Sequence, residues 1–582
     1  MGAKVGGAPW RRTAPSALSR RTRRRVSAER EPSSMAALRS SASASSSVRA
    51  RPVCSIARVK RATPGASSGS SPVVVTMRTS IAARGGSSSQ PRSAGARQRS
   101  GRSRRTGAAW ESGAGAARSG SPPGRQGERG GGPAARRVAG ARAGRYPRSV
   151  HVEDAGRWSG EAVEDAARAL RGAGGLAWLD GDGSAGAGRR SYLACAPVEV
   201  VRAEHGDADP LGAAGRLEGC GDDSDAPRWV GYVAYDAWWA GRASRHARGS
   251  HGGPVLWWGR YDAVLEVDHA RGVGRIVADD AAAAARLRER LVGAGQREAA
   301  HVGALEVTPA DAHARAVEAA REHIAAGDIY QVNLARCWRG SFEGSALTLW
   351  EAMRRASPVP YGLYVDAGDH QVLARTMERF LDWTPDVRGV GRIETRPIKG
   401  TKARRGDDGA EAAALRADTK ERAEHAMIVD LMRNDLGRVA EIGSVEVVAP
   451  LTVEPYAKLH HLVTTVRART RPGTDLGAVL RATFPPGSVT GAPKRRALEI
   501  IDALEPHPRG VYCGCVGHVD RRGGAHLAVA IRTAVVRGGA VEYFAGGGLV
   551  WASEAAREVA ETELKARVFL DAIEDMHDSF PG

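Results

Sequence analysis

From about residue 148 onward, apolar and polar positions recur with the periods of folded structure; upstream they do not. SYLACAPVEVV, RWVGYVAYDAWW, VLWWGRYDAVLEVD and VGRIVAD carry the β-branched and aromatic density of strands. The last two flank a short polar turn containing glycine and predict a hairpin. An alanine-rich helix is predicted over residues 280–294, and the linker GAGQREAAHVG behind it marks an internal boundary. The next helix is announced by Thr308 as cap, Pro309 in the first turn, Asp311 three residues after the cap and Gly327 at its close. The strand DIYQVNLARCW follows it. One long helix is predicted over residues 411–434, with Leu415, Met427, Ile428, Leu431 and Met432 on its apolar side and Gly437 as its stop. The predicted class is α+β with substantial antiparallel sheet, and the C-terminal part is long enough for a core of its own.

Residues 1–147 lack such periodicity. Arg, Ser, Gly and Ala dominate, as in QPRSAGARQRSGRSRR, and a segment of this kind buries too little apolar surface to offset chain entropy. Disorder is expected there, either as a solvated extension or as an arm that binds polyanions. The expected organisation is a basic tail (1–147), an N-terminal α+β region (148–300), a catalytic domain (301–575) and a short C-terminal tail (576–582).

Charge sharpens this division. The formal net charge of +20 invites a nucleic-acid reading, but residues 1–148 hold 31 basic and 4 acidic residues, so the remainder carries −7. Only eight of the 85 basic residues are Lys, and six of those lie beyond residue 398. In a chain whose default cation is Arg, each of these Lys invites a reason. No apolar run reaches the length of a membrane span, and six scattered Cys make no disulfide framework, so a reducing cytoplasm is the expected location. The N-terminus has no apolar signal core, although its poverty in acid is similar to an organellar transit peptide.

Several residues invite chemical readings. Glu421 and Glu424 are three apart on a predicted helix, and Glu558 and Glu561 repeat the spacing, so each pair projects from one face. Two such pairs could enclose a hard cation such as Mg²⁺, or each could be an ordinary solvated helix surface. Arg532 can grip a carboxylate bidentately, and the run Gly546, Gly547, Gly548 lets backbone N–H groups approach an anion; the same glycines could merely form a turn. Lys399 in RPIKGT could serve as a nucleophile, which Arg cannot, or could be a surface lysine before a turn. Lys494 in GAPK is a secondary candidate. The string YCGCVGH imitates part of an amidotransferase nucleophile turn without its following Gln. Cys513, Cys515 and His518 form at most a weak metal signal, and a structural role for both Cys is expected.

The segments GDIYQVNLAR, IETRPIKGT, ERAEHAMIVDLMRNDLGR, LHHLVTTV, FPPGSVTGAPK, AIRTAVV, AGGGLVWASE and EVAETELKA, in this order, resemble the chorismate-utilising enzymes, over roughly Thr308 to Ile573. GYVAYD adds a weaker match in the N-terminal region. That family includes the large subunits of anthranilate and aminodeoxychorismate synthases and the isochorismate and salicylate synthases. The resemblance implies antiparallel sheets packed into a core with helices outside. It implies Mg²⁺ on Glu421, Glu424, Glu558 and Glu561, and substrate binding by Thr401, His461, Arg532, Gly546, Gly547, Gly548 and Lys565. It also implies Glu378 as general acid and base, although TMERF departs from the family's S-P-E-R-F. Lysine at position 399 resembles the aminodeoxychorismate-forming branch, where anthranilate synthases typically carry alanine. Gln331 stands where water-adding members place a lysine, and His518 stands where a substrate-facing tyrosine is common. Ammonia would then come from a separate glutamine amidotransferase, in a route to 4-aminobenzoate and folate.

Overall fold

The computed structural model describes residues 150–246, 253–293, 295–386, 390–404, 406, 408–455 and 459–579. The basic tail expected over residues 1–147 lies outside them. Among the described residues the strands form two sheets of 13 and 10 strands with antiparallel pairing throughout, and helices pack around them, as the α+β reading requires. The stretches 148–300 and 301–575 are interleaved. Gly362 pairs with Asp180 in the first sheet and Cys515 with Val233 in the second, so neither stretch closes a sheet without the other.

Eleven elements position the site. β1 is Gln331–Gly344, β2 His370–Thr376, β3 Arg379–Thr384, β4 Ile398–Ala403, β5 Leu459–Arg469, β6 Ala525–Val529, β7 Thr533–Arg537 and β8 Ala540–Leu549; α1 is Asp408–Ala417, α2 Thr419–Gly437 and α3 Ala555–Ser579. β2, β7, β8 and β1 are successive neighbours in the first sheet, while β4 and β5 begin the second. The first sheet is buried on both faces. Leu363, Val372 and Ala374 join the core shared with the second sheet, whereas Tyr364 and Leu373 join the core beneath the outer helices, the alternation a strand imposes. Tyr543 on β8 stacks on Phe569 of α3 with ring centroids 4.6 Å apart, which fastens that helix to the strand.

The structure corrects several local expectations. The helix predicted over 411–434 is two helices, because the Asp418 carboxylate accepts from the N–H groups of Lys420 and Glu421 and starts α2 afresh. Thr308 does not cap its helix. Its hydroxyl accepts from Cys337 N–H at 3.0 Å, and the helix begins at Ala310 behind Pro309. VLWWGRYDAVLEVD is divided between the sheets, Leu256–Arg260 in the second and Ala263–Asp268 in the first, and the latter forms the expected hairpin with Val273–Ala278. The C-terminal tail placed at 576 is helical as far as Ser579.

Candidate active site

Lys399 lies on β4 at the end of the second sheet. Its Nζ is 3.1 Å from Glu424 Oε2 on α2, with about a quarter of its side chain (26%) still exposed. A β-carbon added at Gly548 on β8 would fall 3.3 Å from Lys399 Nζ and 2.9 Å from Gln331 Nε2. The lysine therefore bridges the gap between the sheets. Its carbonyl is fixed from beneath: His425 Nδ1 lies 3.2 Å from Lys399 O and His425 Nε2 2.6 Å from Thr464 Oγ1. Burial holds the His425 ring below its ordinary pKa, so Nδ1–H donates to the carbonyl and Nε2 accepts from the threonine. His425 is visible in ERAEH, but sequence reading gave it no role, because its partners are 26 and 39 residues away.

The two glutamate pairs flank this lysine. Glu421 Oε2 would lie 3.2 Å from a β-carbon at Gly400, beside Lys399. On the other side, a β-carbon at Gly547 would meet Glu558 Oε2 at 2.9 Å and Glu561 Oε1 at 3.5 Å. The glycine run is thus strand rather than turn, and its lack of side chains lets cation and carboxylates approach from both faces. Desolvation and the neighbouring carboxylate raise both Glu421 and Glu558 above the ordinary range. Lys565, one helical turn beyond Glu561, pairs with it at 2.6 Å and donates to Gly546 O at 2.8 Å.

Glu378 stands where the chain leaves β2 in the first sheet to enter β3 in the second. Arg532 stands at the reverse crossing between β6 and β7, at φ +53°. The crossings are tied together, Val529 N–H donating to Glu378 O and Arg375 N–H to Arg532 O. The Glu378 residue is half-buried, yet desolvation pushes its carboxyl up to about 7, against weaker stabilisation from Ser488, Lys399 and Lys565. His461 on β5 is held low by burial, with Gly400 and Arg532 as its electrical neighbours. The Thr401 backbone pairs with His461 in register, and its side chain lies outside the described residues.

Buried polar atoms without a hydrogen-bond partner gather along the glycine strand: Gln331 Oε1, Asn333 Oδ1 and Glu558 Oε2. Such atoms are costly unless something binds them. The secondary candidates fall outside the cluster. Lys494 donates to Asp435 Oδ2, Thr483 O and Pro485 O at 2.6–2.7 Å and is fully engaged in structure. Burial raises the Cys513 and Cys515 thiols, that of Cys513 to about 12. His518 stacks on His526 in the wall of a separate cavity of about 540 Å³.

The sequence profile of the chorismate binding enzymes matches residues 181–571. The chain belongs to the chorismate binding enzyme family. It is 41% identical over 275 residues to an aminodeoxychorismate synthase of Streptomyces griseus, 47% of this chain and 37% of that one. It is 42% identical over 266 residues to anthranilate synthase component 1 of Aquifex aeolicus, 45% and 53% of the two chains, and 42% identical over 252 residues to aminodeoxychorismate synthase component 1 of Salmonella typhimurium, 43% and 54%. The matches thus span about half, or less, of these curated relatives. Among solved structures, anthranilate synthase component I from Streptococcus pneumoniae superposes with a TM-score of 0.58 at 29% identity, covering 66% of this chain and 92% of that one. The menaquinone-specific isochorismate synthase of Escherichia coli shares the fold at a TM-score of 0.57 and 19% identity, covering 73% and 95%. No helix among the described residues is long and apolar enough to cross a membrane.

Proposed function

We propose that this chorismate binding enzyme is an aminodeoxychorismate synthase component I, forming 4-amino-4-deoxychorismate from chorismate and ammonia. The observation that carries the reading is the position of Lys399, whose amine faces the glycine strand between two acidic pairs. Overall identity does not choose, since relatives with both activities match to the same degree. In the proposed reaction the Lys399 amine, once deprotonated, bonds to ring carbon 2 as the bond from carbon 4 to its hydroxyl breaks. Glu378, poised near neutrality, protonates the departing hydroxyl to water. Ammonia then adds at carbon 4 and expels the lysine amine. Arg532 and the glycine strand hold substrate carboxylate, with His461 beside the ring.

Mg²⁺ fits the donor set. The raised Glu421 and Glu558 and the unpartnered Glu558 Oε2 are carboxylate oxygens short of positive charge, the ligand type a hard cation prefers. Glu421, Glu424, Glu558 and Glu561 would hold it, directly or through water, and it would supply charge for a substrate carboxylate. The buried, high-pKa Cys513 and Cys515 are unsuited to glutamine hydrolysis. A separate glutamine amidotransferase is therefore the proposed ammonia source, and 4-aminobenzoate for folate the proposed destination. Anthranilate synthase is the second reading, favoured by the 92% coverage of the Streptococcus pneumoniae structure. Incubation with chorismate, Mg²⁺ and ammonium, followed by product identification, tests both. 4-Amino-4-deoxychorismate is expected; anthranilate with pyruvate would overturn the proposal.

A further inference from the structure

β5 carries consecutive histidines, and a strand sends consecutive side chains to opposite faces. His461 belongs to the site above. His460 shares its face with Thr464, the partner of His425 on α2, and turns towards the helices. There its side chain is 98% buried, and neither ring nitrogen has a hydrogen-bond partner. Nε2 points instead at two carboxylates at the start of α1, 3.3 Å from Asp408 Oδ1 and 3.5 Å from Glu411 Oε2. The three donor atoms lie within 4.8 Å of one another, the one such grouping of His, Cys, Asp and Glu among the described residues.

From this geometry we infer that Asp408, Glu411 and His460 form a binding site for a borderline divalent cation of the zinc type, distinct from the glutamate pairs around Lys399. Zinc bonds of about 2.0–2.1 Å in a tetrahedron place neighbouring ligand atoms about 3.3–3.4 Å apart. The two separations from His460 Nε2 fall close to that range. An imidazole in the set favours zinc over Mg²⁺ or Ca²⁺, which prefer oxygen. Arg404 donates to both Asp408 oxygens at 2.6–2.7 Å, the outer bonding that fixes a ligating carboxylate. Asp408 is half-exposed at 46%, which leaves an entry path and room for a water as fourth ligand. A cation on Nε2 would give that buried nitrogen a partner, because metal ligation uses its lone pair, and the two carboxylates would complete the protein's share of the ligand set. The bound ion would clamp the first turn of α1 to β5, one strand from Lys399.

The untagged full chain, stripped with chelator and returned to millimolar Mg²⁺, is titrated with Zn²⁺ while bound metal and melting temperature are measured. One zinc per chain with a raised melting temperature is expected. His460→Ala and Asp408→Asn should weaken binding at least tenfold and lose the thermal shift, and Glu421→Gln with Glu558→Gln should keep both. Asp408 is exposed enough that its variant should keep the wild-type circular dichroism. No zinc bound by the wild type, or zinc bound equally by the folded Asp408→Asn chain, would overturn the inference.

Discussion

Lys399 and Lys494 are both lysines in an Arg-dominated chain, and their surroundings differ in how completely the ammonium is matched. Lys494 places three donors on three acceptors inside the protein and is 9% exposed. Lys399 pairs with Glu424, stays partly open and faces a strand without side chains, amid polar atoms that lack partners. Saturated charge holds a fold together, whereas unsaturated charge is left for something that comes and goes. Glu421 on α2 and Glu558 on α3 belong to the second kind.

Substitution separates the two lysines most sharply. Lys399→Ala should lower aminodeoxychorismate formation on the order of 10³-fold or more, with little change in melting temperature, as single-turnover assays and calorimetry would show. Lys494→Ala should do the reverse. Leaving Asp435 buried and unpaired costs about 3–5 kcal/mol, to be read from denaturant midpoints, and the molecules that remain folded keep their turnover. If both variants lost activity while remaining equally stable, the contrast would fail.

Glu378→Gln should lower kcat by about 10²–10⁴-fold. It also carries a pH signature. The folded carboxyl titrates near 7 rather than 4.5, so the folded chain holds this proton more tightly than the unfolded chain. The group's contribution to stability is complete below about 4.5 and declines as pH rises through about 7. Glutamine removes that penalty, so the variant should melt higher than wild type at pH 8 and lose this advantage at pH 5. A Glu558→Gln chain should need at least about tenfold more Mg²⁺ for half-maximal activity, at little cost in stability because Oε2 has no partner to lose. Deleting residues 1–145 should leave kcat/KM within about twofold, because every residue of the proposed site lies beyond position 330; a large loss would give the basic segment a catalytic role.

Much of this was legible in the sequence because it is local. The strand and helix periods announce α+β, and each glutamate pair is written in a single helical turn. What was hidden depends on partners distant in the chain. Nothing near Asp418 distinguishes a capping carboxylate from another polar position in a continuous helix. The glycines look like a turn until β1 pairs with them from Asn333↔Gly548 to Ala335↔Gly546. Lys494 reads as a candidate for the same reason as Lys399, and only burial beside Asp435 shows that its valence is filled. His425 and His460 acquire meaning only when β5 lies against the helices.

The paired crossings between the sheets have a mechanical consequence. Glu378 and Arg532 occupy adjacent chains running in opposite directions between the layers, stitched by backbone hydrogen bonds at both ends. Sliding one sheet over the other would tilt both links together, as in a parallelogram, and hold Glu378 and Arg532 at constant separation. Lys399 rides on the second sheet alone and faces a strand of the first. The same slide would move the Lys399 amine along the glycine strand, so shear between the layers would change what the lysine faces without parting Glu378 from Arg532.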